Sequence, residues 1–139
     1  PRKARSCMRR LRELADLLLE KARQDEVLVD EVLASPRVTD EITGFHCRQA
    51  AEKLLKALLS FQEVRFRKTH DLRALMRLLA EAGYPVPPAL QEVDALSPYA
   101  ALFRYDAPAR SRPLDRQRLR QLVRAPGAWV TAQVTPPTG

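Results

Sequence analysis

Asparagine is absent, and only two histidines, two cysteines and four glycines occur in the 139 residues. Gly44, Gly83, Gly127 and Gly139 lie far apart, which excludes a glycine-rich phosphate loop. The isolated His46, His70, Cys7 and Cys47 make no tetrahedral metal set, and no cofactor is called for. The cysteines also lack the spacing of a disulfide scaffold, so they read as reduced thiols of a cytoplasmic protein. No stretch approaches the roughly 20 apolar residues of a membrane span, and the basic N-terminus leads into the charge-interrupted LRELADLLLEKARQ rather than a signal-peptide run. Aromatic residues make up 6% of the chain, while leucine and alanine dominate, which favours packed helices over sheets.

The chain carries 24 basic side chains against 17 acidic ones, a net charge of +7 that attracts polyanions without naming one. From Arg104 onward seven arginines face only Asp106 and Asp115, so the C-terminal part is the most basic. At 45% hydrophobic, a chain of this length fills a single core.

Three- and four-residue apolar steps from Cys7 to Ala34 predict a first helix, which Pro36 cannot continue. Thr39 or Asp40 caps a second helix that runs to about Gln62, and the short basic segment EVRFRK leads out of it. Thr69 is the expected N-cap of a third helix that contains His70 and stops near Gly83. YPVPP is a rigid extended linker, and a fourth helix starts near Pro88, with Pro98 bending or breaking it. A last helix spans about Leu114 to Arg124; Pro126 and Gly127 interrupt it before AWVTAQV resumes. The expected fold is all-α, an antiparallel up-and-down bundle of four to five helices. A single domain spans residues 7–134, with flexible ends at 1–6 and 135–139.

TGFHCRQAAEKLLKALL concentrates apolar and polar signals on one helix. Ala50, Ala51, Leu54, Leu55 and Leu58 form a broad apolar face, and His46, Gln49, Lys53 and Lys56 line up beside it. An imidazole, an amide and two ammonium groups in a row suit an anion, although polar residues on a half-exposed helix face are as often only solvated. His70, next to the cap of the third helix, sits where free backbone N–H groups favour a phosphate. Arg104, flanked by Phe103 and Tyr105, offers a bidentate fork beside stacking faces; the competing reading is an ion pair to Asp106 over buried aromatics. Strict alternation of helix direction groups Arg104 and His70 with Lys53 and Lys56, and with the adjacent Thr69 and Tyr105 these are the expected nucleotide- or RNA-binding set. It leaves His46 and Gln49 nearer the core, the binding groove or a dimer seam.

FHCRQAAEKLLKALL, then KTHDLRALM, then LSPYAALFRYD before a terminal helix, resembles the HEPN domain family (higher eukaryotes and prokaryotes nucleotide-binding) over roughly residues 10 to 133. The resemblance implies a helical bundle, usually a homodimer, in which His46, Gln49, Lys53, Thr69, His70, Arg104 and Tyr105 are the recurring polar positions. It also implies a protein partner, since many members accompany a minimal nucleotidyltransferase in toxin–antitoxin modules, and some are metal-independent ribonucleases. Those ribonucleases place a histidine four to six residues after the arginine of the last long helix. Here Arg104 is followed by YDAPARSRP, and no histidine lies downstream. Arg65 and His70 have that spacing, but they straddle the loop into the third helix and read as an accidental match. Loss of the positioned imidazole removes roughly two to four orders of magnitude of general acid–base catalysis. The expected role is therefore a nucleotide- or RNA-binding module without catalytic residues; the alternative is a ribonuclease toxin that pairs Arg104 with a displaced histidine such as His70.

Overall fold

The structure, a computed structural model, describes residues 2–99 and 115–134. Helix α1 spans Arg2–Val32, α2 Asp40–Phe61, α3 Leu72–Glu81 and α4 Arg116–Val134, with a 3₁₀ helix over Pro88–Tyr99 between α3 and α4. No strand occurs among the described residues, and the architecture is an all-α bundle.

The core is centred on α2, which packs against every other helix. Its expected apolar face is all buried: Ala50, Ala51, Leu54, Leu55 and Leu58 are each at most 3% exposed. Leu19, Ala22 and Val29 of α1, Leu75 and Leu79 of α3, Val93 and Leu96 of the 3₁₀ helix, and Leu119, Val123 and Val130 of α4 close around it. Helices α1 and α2 are antiparallel, since the Arg12 guanidinium lies over the Phe61 ring at 4.6 Å while Asp25 reaches His46 and Lys53.

Helix boundaries follow from local chemistry. Thr39 is the N-cap of α2, its hydroxyl accepting from the Ile42 N–H, and Asp40 and Glu41 sit in the first turn where the helix dipole favours them. Helix α1 begins at Arg2, so residues 2–6 extend the helix that was expected to start at Cys7. Residues 135–139, expected to be a flexible end, lie outside the described residues.

Three expectations need correction. The N-cap of α3 is Asp71, not Thr69: Asp71 Oδ1 accepts from the N–H groups of Arg73 and Ala74 at 3.0 and 3.3 Å, while Thr69 Oγ1 accepts from Asp71 N. His70 stays outside the helix because α2 holds its backbone and its ring, as described below. The fourth segment is a 3₁₀ helix rather than an α-helix, with Pro88 at its start and the Leu90 N–H donating to Pro87 O at 2.8 Å. Finally, α4 continues through Pro126 and Gly127. Both residues are buried, and Gly127 lies beside Leu54 and Glu26, so packing on α2 and α1 outweighs the one helical bond that proline forfeits.

Gly44 has a packing role. A Cβ there would lie 2.6 Å from Tyr99 Cγ, so only glycine admits the Tyr99 ring against α2. The close approach anticipated from Gly44 is thus made by the 3₁₀ helix.

Candidate functional site

Asp25 and Glu52 divide the polar row on α2 between them. On the α1 side, Asp25 Oδ1 lies 3.3 Å from His46 Nδ1, and Asp25 Oδ2 accepts from Lys53 Nζ at 2.5 Å. Spaced seven residues apart, His46 and Lys53 share one side of α2 and meet the same carboxylate across the helix interface. Gln49 lies between them, half-buried.

Glu52 organises the other group. It is 3% exposed and pairs with Arg48, which is 1% exposed, one turn earlier: Arg48 Nη1 donates to Glu52 Oε2 at 2.9 Å. Glu52 Oε1 accepts from Lys56 Nζ at 2.7 Å and lies 2.6 Å from His70 Nδ1. Arg48 Nη2 donates to the His70 carbonyl oxygen, so the Arg48–Glu52 pair grips both the backbone and the ring of His70. Burial pushes the Glu52 carboxyl upward, but hydrogen bonds from Lys56 and His70 and the charges of Lys56 and Arg48 outweigh it, leaving Glu52 below the usual glutamate range.

The sequence-derived set is therefore split. Lys56 and His70 meet at Glu52, as the alternation of helices implies, but Lys53 joins His46 on Asp25 instead. The N–H groups at the start of α3 are engaged by Asp71 rather than left open for a phosphate. Arg104 and Tyr105, with Phe103 and Asp106, lie outside the described residues.

Several polar residues with clear structural work carry no signal in periodicity. Arg116, at the start of α4, donates through Nε to Asp40 at 2.8 Å and through Nη1 to the carbonyls of Val32 and Ser35, both at 2.9 Å. It supplies donors to the carbonyls left open where α1 ends. Arg120, 8% exposed, bridges Asp30 at 2.5 Å and Glu26 at 3.0 Å. Its hydrogen bond holds the Asp30 carboxyl below the usual range. Thus two arginines from the basic C-terminal part tie α4 to α1. Cys47 is buried near Arg120, and burial pushes its thiol up to about 12, which keeps it protonated and unreactive.

A cleft of about 500 Å³ opens between the α2–α3 loop and α3. Arg65, Arg67, Thr69 and Arg77 line it together with Phe66 and Leu78. Of the sequence-derived residues, Thr69 belongs to this cleft. The arginines on either side of Phe66 were legible only as a short basic segment; their convergence with Arg77 depends on how the loop folds back over α3.

No group of three or more His, Cys, Asp or Glu side chains among the described residues could hold a metal ion. No helix among them is long and apolar enough to cross a membrane.

A model of the HEPN domain family matches residues 15–125. No curated protein and no solved structure gives a match.

Proposed function

Because the chain belongs to the HEPN domain family, we propose that it is a nucleotide- or RNA-binding module that works as a homodimer or beside a minimal nucleotidyltransferase, in a toxin–antitoxin arrangement. The family match over residues 15–125 carries this reading. Electrostatics supports it: the net charge of +7 favours a polyanionic partner.

The non-catalytic form of the reading is supported by the stretch after Arg104. A carboxylate beside each imidazole, Asp25 for His46 and Glu52 for His70, serves a structural or a catalytic histidine equally. No histidine follows Arg104. Lys56, Thr69 and His70, at the α2–α3 end of the bundle, remain the sequence-derived residues proposed for ligand contact, with Lys53, Arg104 and Tyr105. His46 and Gln49 are proposed for the dimer seam or the groove.

One observation favours the enzyme alternative: the His70 side chain is 76% exposed, so its ring is open to solvent despite the Glu52 contact. Incubation of the purified chain with structured and unstructured RNA in a chelator separates the two readings. The binding module shifts the RNA without cutting it. Cleavage that disappears in Arg104→Ala and His70→Ala establishes the ribonuclease instead. Light scattering and co-purification from native extract test the partners, and a mass that stays at 15.8 kDa with no co-purifying protein would rule out both proposed assemblies.

A further inference from the structure

The cleft beside α3 differs in kind from the rest of the basic surface. Arg48, Arg116 and Arg120 are engaged by carboxylates or backbone carbonyls. Among the described residues, the side chains of Arg67 and Arg77 make no hydrogen bond or ion pair, and that of Arg65 makes only a 3.4 Å contact from Nη2 to Cys7 Sγ, a weak acceptor. Three guanidiniums therefore line one concavity, with Glu81 the single carboxylate among its lining residues. Mutual repulsion among them is relieved by an anion, and the planar fork of arginine suits phosphate oxygens. Phe66 and Leu78 add an apolar wall, and a volume of about 500 Å³ is that of a nucleotide-sized site.

The loop that carries Arg65, Arg67 and Thr69 is anchored at both ends by α2. Glu63, at a φ of 62°, turns the chain out of the helix, and the Val64 N–H donates to Leu59 O at 2.8 Å. At the far end, Arg48 and Glu52 hold His70. A loop fixed in this way loses little conformational freedom when it closes on a ligand.

We propose that this cleft is the seat of single-stranded RNA. Arg65, Arg67 and Arg77 take the phosphate oxygens, the Thr69 hydroxyl donates to one of them, and a base lies against Phe66. The proposal rests on the RNA-binding reading above and extends its contact surface from Thr69 into the cleft.

The test is fluorescence anisotropy of a labelled oligouridylate over a range of salt concentrations, with the full chain, Arg67→Ala/Arg77→Ala and Arg23→Ala. Circular dichroism confirms that each variant keeps its helicity, as exposed arginine substitutions should. Removal of two phosphate contacts is expected to weaken binding about tenfold or more and to lower the slope of log K against log salt by about 1.4, while Arg23→Ala, on the exposed side of α1 and outside the cleft lining, stays within about twofold of the parent. If the parent binds and the double arginine variant matches it in affinity and slope, the cleft is not the contact surface and the RNA-binding reading survives. If the parent does not bind the oligouridylate at all, that reading fails and the cleft proposal with it.

Discussion

The α2 row and the α2–α3 cleft draw on the same chemistry, side chains that bind anions, but the fold treats them in opposite ways. His46, Lys53, Lys56 and His70 each meet a carboxylate from within the chain, Asp25 or Glu52. Arg67 and Arg77, among the described residues, meet none. A cation already neutralised at hydrogen-bond distance must give up that partner before it serves a ligand, whereas a solvated guanidinium gives up only water. Spacing on a helix reveals which side chains are neighbours. It does not reveal which of them the neighbouring helix has already engaged.

The strongest challenge to this contrast is to break the buried pair. Arg48→Met leaves Glu52 buried with only Lys56 and His70, and removes the donor to the His70 carbonyl. Urea unfolding should show a loss of about 3–5 kcal/mol. A loss below about 1 kcal/mol would mean that the pair does not hold the loop.

Gly44→Ala forces a methyl group into the Tyr99 ring, and overpacking of this sort costs about 1–3 kcal/mol. A thermal melt equal to the parent's would show that the 3₁₀ helix can shift away from α2 without loss.

A third test uses pH. The folded Glu52 carboxyl titrates below its unfolded value, so its contribution is present at neutral pH, above the usual glutamate pKa of about 4.3. It fades as pH falls through that value towards the lower folded pKa. Stability measured by urea titration should therefore fall in acid for the parent, and Glu52→Gln should flatten this part of the profile while lowering stability at neutral pH. An equally steep acid limb in Glu52→Gln would assign the effect to other carboxylates.

The smallest effect is expected at Asp25. Asp25→Asn frees Lys53 and His46 from their shared partner at a stability cost of about 1 kcal/mol or less, since the Lys53 side chain is 26% exposed. If pairing is what silences this part of the row, affinity for the labelled oligouridylate should rise a few-fold (an order-of-magnitude expectation from one added net charge). A fall in affinity would instead make Asp25 part of the binding surface.

Much of the architecture was legible because periodicity and punctuation are local. The α2 face, the Thr39 cap and the break at Pro36 each depend on residues within a few positions of one another. The misreadings came where distant contacts overrode local preference. Thr69 is a good cap by type, yet Arg48 and Glu52 hold His70 out of the helix and pass the role to Asp71. Pro126 is a helix breaker by type, yet burial of Pro126 and Gly127 against α2 carries α4 through it.

For the candidate site the division is similar. By itself the sequence determined the all-α class, the identity of the half-exposed row and the lack of a histidine after Arg104, because composition, helical spacing and order along the chain require no knowledge of neighbours. Tertiary structure alone decided that Asp25 engages Lys53 with His46, that Glu52 gathers Lys56 with His70, and that Arg77 joins Arg65 and Arg67 around one cleft. Those outcomes depend on which charges from separate helices come within a few ångströms, and electrostatic pairing falls off with a distance that only the packed bundle sets.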